Sequence, residues 1–128
     1  MTVVLNHTIV RVRDKKESAH FLTDLLGLSE PTTYGPFLVV QLGNDVSLDF
    51  ADDHGPADPQ HYAFLVSEEE FDGAFGRLTE GGHEYWADPG ATEPGQINRH
   101  DGGRGCYFRD PDGHWLEILT VPYGGWPS

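Results

Sequence analysis

The chain of 128 residues carries 8 Lys and Arg against 21 Asp and Glu, a formal net charge of −13. That balance repels phosphate backbones and anionic membrane surfaces, so nucleic acid and membranes are excluded as natural partners, and no apolar run approaches the roughly 20 residues of a membrane span. The single cysteine, Cys106, allows neither an internal disulfide nor a thiolate cluster, which leaves imidazole and carboxylate as the groups able to hold a metal.

The chain opens Met1, Thr2, Val3, Val4 with no basic leader, and a cytoplasmic setting is expected. Its length suits one domain over 1–128. Residues 3–12, VVLNHTIVRV, are β-branched and roughly alternating, which predicts a strand with one buried face. Asp14 opens a helix whose apolar positions are Ala19, Phe21, Leu22, Leu25 and Leu26, and Gly27 can end it in the left-handed conformation. Strands are expected over 28–33, 36–42 and 46–50, followed by a linker, ADDHGPADPQ, at 51–60.

The second half repeats this order. Strand HYAFLV (61–66) leads to a Ser67 cap with Glu70 three residues on, then to a helix bearing Phe71, Ala74, Phe75 and Leu78 that runs out into glycine. Short strands follow over 83–87, 105–108 and 114–121. DPDG (110–113) makes the last turn, with Gly113 supplying a positive φ. The loop 88–103 has no interpretable pattern, and the tail 122–128 is rich in glycine and proline. A shift of 54 carries His7 onto His61, Val12 onto Val66, Phe21 onto Phe75 and Gly27 onto Gly81. The expected fold class is α+β: two βαβββ modules, about 3–50 and 61–121, forming a curved mixed sheet with the first strands of the halves side by side.

His7 and His61 hold equivalent strand positions, and about a pseudo-twofold axis such positions converge. Glu117 lies within the apolar run WLEILTV, where an unpaired carboxylate would cost several kcal/mol to bury, so a cation beside it is expected. Two imidazoles and a carboxylate suit Fe, Mn, Zn, Ni or Co. His20, His54, His83 and His114 have no repeat partner at a telling place. Cys106 reads as a small packed residue.

NHTIVRVRD followed by FLTDLLGL, then HYAFLV, and above all YFRDPDGHWLEIL, make the chain similar to the vicinal oxygen chelate superfamily, which has the glyoxalase/bleomycin resistance/dihydroxybiphenyl dioxygenase fold. The resemblance implies a divalent metal in a cupped sheet, held by His7, His61 and Glu117, a small-molecule substrate chelating through two oxygens, and a homodimer.

Within that family an extradiol-type ring-cleavage dioxygenase using Fe(II) is the first expectation, because three ligands leave positions for substrate and dioxygen. Tyr107, ten residues before Glu117, and the Arg99–His100 pair resemble the extradiol Tyr and His, although the gap from His100 to Tyr107 is about two residues shorter. Tyr107 would then bond substrate oxygens and His100 would carry a proton. Tyr107 reads equally as a packed strand aromatic, and His100 as a solvated loop residue.

Asp49, aligned with Glu117 when VSLDF is laid on HWLEI, is a candidate fourth ligand, as in a glyoxalase I-like lyase; it also reads as a solvated strand end. A fosfomycin-type thiol transferase is favoured by QHYAF and opposed by the lack of an evident cationic cluster. The alternative outside catalysis is a metal-free antibiotic-binding protein, for which Trp86 and Trp115 would suit a flat ligand.

Overall fold

Asp14 stops the first strand and starts the first helix with one carboxylate. Its Oδ1 accepts from the backbone N–H of Lys16 and Glu17 at 3.0 and 3.2 Å, which satisfies two of the donors a helix leaves open at its start. In the computed structural model, which describes residues 3–56 and 58–127, this helix, α1, spans Lys15–Leu26 and ends at Gly27 with φ 68°. Met1 and Thr2, with which the sequence enters its first strand pattern, lie outside the described residues, as do Ala57 of the linker and Ser128 of the tail.

The chain divides into two compact units, 1–58 and 59–128. In the first, β1 (His7–Val12) pairs in parallel with β4 (Ser47–Asp52), which pairs antiparallel with β3 (Phe37–Gln41), itself antiparallel to β2 (Thr32–Tyr34). Val10, Val12, Leu38, Val40, Leu48 and Phe50 point to one face and are buried, as are Ala19, Leu22 and Leu25 of α1. Alternation sends His7, Val39, Ser47 and Asp49 to the other face.

The second unit has the same order. Here β5 (His61–Leu65) pairs in parallel with β8 (Trp115–Leu119), then come β7 (Gly105–Arg109) and β6 (Tyr85–Trp86). Its helix α2 (Glu68–Glu80) begins with the Ser67/Glu70 capping box. Phe71, Ala74 and Leu78 are buried, and Phe75 meets Tyr85 edge-on at 5.0 Å. Cys106, Phe108, Leu116 and Ile118 share the Tyr85 face by register, which leaves His61, Trp86, Tyr107, Arg109, Trp115 and Glu117 on the opposite one.

Two βαβββ modules are therefore present, with three differences of detail. The strands are hydrogen-bonded as two four-stranded mixed sheets, one per half, and β1 and β5 each stand at one end of their strand order. Residues 3–6 do not extend β1: the ladder to β4 begins at His7 opposite Ser47, and Val3, Val4 and Leu5 are exposed. The second helix closes on Gly81 at φ −74°, and the left-handed residue is Gly82 at φ 71°. The turn 110–113 forms as expected, with Gly113 at φ 90°. Among the described residues no helix is long and apolar enough to cross a membrane.

Candidate metal centre

In the second unit Glu117 sits on β8, flanked by Ala63 of β5 and Tyr107 of β7. Its carboxylate is 1% exposed and its Oε1 stands 3.1 Å from Nε2 of His61, an imidazole that is 45% exposed. The other imidazole nitrogen, Nδ1, lies 2.8 Å from the carbonyl oxygen of Trp115. A carbonyl only accepts, so Nδ1 carries a proton, and Nε2 is the ring nitrogen turned toward Glu117.

Two lone pairs facing each other at 3.1 Å repel unless a positive charge lies between them. A proton on Nε2 or a divalent cation both answer that requirement. A backbone carbonyl on the distal nitrogen is also the usual support of a metal-bound histidine, so the pair fits a divalent ion.

Two tyrosines complete the local order. The hydroxyl of Tyr123 lies 2.7 and 2.6 Å from the two oxygens of Glu117, and 2.8 Å from the hydroxyl of Tyr107. Burial, with the Glu117 carboxylate adding to it, pushes the Tyr123 phenol well above its ordinary range, and burial raises Tyr107 as well. Both stay protonated at neutral pH.

Beyond them runs an aromatic wall. The Tyr107 ring stacks at 6.0 Å on His61 and at 5.9 Å on Trp115, and Trp115 lies 5.3 Å from Trp86. The guanidinium of Arg109 rests 5.0 Å over Trp86 and 4.8 Å over Trp115.

The first unit presents a related set of positions. His7 lies opposite Ser47 on β4, as His61 lies opposite Trp115 on β8. Asp49 sits between Ile9 and Val39, as Glu117 sits between Ala63 and Tyr107. The proton on Nδ1 of His7 faces Oδ1 of Asn6 at 2.7 Å, which leaves its Nε2 free to accept or ligate. Asp49 is bonded by the Ser47 hydroxyl at 2.9 Å. His7, Asp49, Thr32, Tyr34 and Phe37 line a pocket of about 440 Å³ within this unit.

The structure thus brings together His61, Glu117 and Tyr107. His7 and Asp49 belong to the first unit, and within each unit no three His, Cys, Asp or Glu side chains gather at one point among the described residues. His100 is exposed in the short turn His100–Gly102. Tyr123 is the site residue that sequence reasoning missed. It lies in an irregular tail where no periodicity marks a side chain's direction, and its position six residues after a buried carboxylate was the only available hint.

Residues 4–118 match the family described as the Glyoxalase/Bleomycin resistance protein/Dioxygenase superfamily. The chain is 33% identical over 120 residues to the glutathione transferase FosA of Serratia marcescens, covering 89% of this chain and 78% of that protein. Among solved structures it is similar to oxidase ChaP-H1, with a TM-score of 0.95 and 62% identity over 97% of this chain and all of that one. The fosfomycin resistance protein FosX of Mesorhizobium loti, at 21% identity and a TM-score of 0.69, shares the fold. Duplicated βαβββ modules and a match over residues 4–118 agree, and the protein belongs to the Glyoxalase/Bleomycin resistance protein/Dioxygenase superfamily.

Proposed function

We propose that the protein is a metal-dependent enzyme that oxidises, with dioxygen, a small planar molecule bearing two neighbouring oxygen atoms; extradiol-type ring cleavage is the reaction to test first. The observation that carries this reading is the His61–Glu117 pair, an imidazole Nε2 standing 3.1 Å from an oxygen of a buried carboxylate. His7, whose Nε2 is free and whose strand position is equivalent, is the third ligand in this reading.

A divalent ion there, Fe(II) first among Mn, Ni, Zn and Co, would supply Lewis acidity and electron transfer to dioxygen. The chain's own groups do the rest. The aromatic side chains from His61 to Trp86 give the site an apolar border, Tyr107 presents its hydroxyl beside the carboxylate, and His100 is the proton carrier in this reading. The assembly proposed is a homodimer.

Similarity to an enzyme named an oxidase supports oxidation, and similarity to a glutathione transferase supports thiol transfer as the second reading. The local charge favours the first. Arg109 rests over Trp86 and Trp115, and Arg104 is engaged by Glu68 and Asp72 at 3.2 and 2.9 Å, so these two cations do not form the cluster a phosphonate needs.

Metal analysis of protein purified under nitrogen, then oxygen uptake with a panel of catechols beside a glutathione and fosfomycin assay, separates the two. Iron with oxygen uptake supports oxidation, thiol consumption supports transfer, and stoichiometric absence of metal with tight binding of a planar drug would leave a metal-free binder. His61→Ala is expected to abolish metal retention with little change in the circular dichroism spectrum; unchanged metal content would sink the ligand assignment.

A further inference from the structure

The tail following β8 carries no regular structure, yet it delivers one hydroxyl to the most deeply buried carboxylate of the second unit. Tyr123 is 64% exposed as a residue, while the carboxylate it reaches is 1% exposed, so the tail acts as a cover whose inner end touches Glu117. Gly124 and Gly125, at φ 80° and 89°, turn the chain there, and the Gly124 N–H donates to Oδ2 of Asp101 at 3.0 Å.

The direction of the hydrogen bonds follows from what each group can do. An ionised carboxylate only accepts, so Tyr123 spends its single proton on Glu117, whose Oε1 and Oε2 lie 2.7 and 2.6 Å from the hydroxyl. Held from that side, the carboxylate turns Oε1 toward Nε2 of His61 at 3.1 Å. With its own proton committed, Tyr123 can only accept from Tyr107, so the phenol proton of Tyr107 points to Tyr123 and its remaining lone pair is turned outward.

We propose that Tyr123 is a positioning residue of the metal centre: its hydroxyl holds the Glu117 carboxylate in the orientation in which it would meet an ion beside His61, and it sets Tyr107 as a hydrogen-bond acceptor toward the substrate. A substrate hydroxyl next to Tyr107 therefore donates to it. This inference rests on the metal-centre reading above. Groups that orient a metal ligand in this way typically alter metal affinity 10–100-fold when removed.

The test is Mn(II) titration of the full chain, followed by the loss of the free-ion electron paramagnetic resonance signal, for the wild type, Tyr123→Phe and the tail control Trp126→Ala. Tyr123→Phe keeps the ring and deletes the hydroxyl. The expected result is Mn(II) affinity weakened about 10-fold or more in a chain that still melts cooperatively without metal, and wild-type affinity in Trp126→Ala. Unchanged or tighter binding in Tyr123→Phe overturns the positioning role while leaving the metal centre standing. Equal weakening in Trp126→Ala overturns it too, because the tail rather than the hydroxyl would then be responsible. No Mn(II) binding by the wild type overturns both readings.

Discussion

Cys106 and Glu117 lie on neighbouring strands and face opposite sides of one sheet, and each shows what burial does to an ionisable side chain. The thiol is pushed up to about 12, first by burial and then by the Glu117 charge. A thiolate is the reactive form, so Cys106 is expected to resist a disulfide reagent in the native protein at pH 8 and to react fully, one thiol per chain, in denaturant. Rapid labelling of the folded protein would contradict this placement. Glu117 was legible in the sequence because a carboxylate inside WLEILTV conflicts with its surroundings, and a conflict of that kind points to a partner. His61 was legible through repetition. Their joint geometry was not, since the contact joins residues on β5 and β8 that are brought together by parallel pairing across half the chain. Tyr123 was hidden for a stronger reason: a tail side chain takes its direction from tertiary contacts alone.

At the scale of elements, helices were read more closely than strands. Caps are local, and Asp14 and Ser67 do what their side chains dictate within three residues. The short strands β2 and β6 gain their extent from pairing with β3 and β7, so their ends could not be read from their own residues.

The capping box also sets a pH response. The backbone N–H of Ser67 holds the Glu70 carboxyl below its ordinary value of 4.5. A carboxyl depressed in the folded state contributes fully above the unfolded value, and the contribution is lost as pH falls through the folded one. Glu70→Gln is therefore expected to flatten the loss of thermal stability between about pH 5 and pH 3, and identical profiles would refute the link. Ser67→Ala, which removes the other half of the box, is expected to cost about 1 kcal/mol in urea unfolding at neutral pH.

Over the whole molecule the excess of acidic residues, a net charge of −13, acts against compactness. Raising NaCl from about 10 mM to about 150 mM shortens the screening length from about 30 Å to about 8 Å. The melting temperature is expected to rise by a few degrees over that range; a fall would show that close pairs such as Arg104 with Glu68 and Asp72 outweigh the general repulsion.

The strand pairing repeats between the modules in the same register, with one insertion. The shift between modules is 54 at β1 and β5 and grows to 68 at β4 and β8, an excess of 14 residues that falls between β6 and β7. Those added residues fold back along β6, the outermost strand of its sheet. Ala87 N–H bonds Glu93 O at 3.1 Å, Gly95 N–H bonds Tyr85 O at 2.9 Å, and Pro94, which has no N–H to offer, lies opposite Trp86. The irregular stretch thus doubles as a guard on an open sheet margin. Shortening it to the tight hairpin of the first module is expected to bare the outer edge of β6, a two-residue strand, to pairing with another chain.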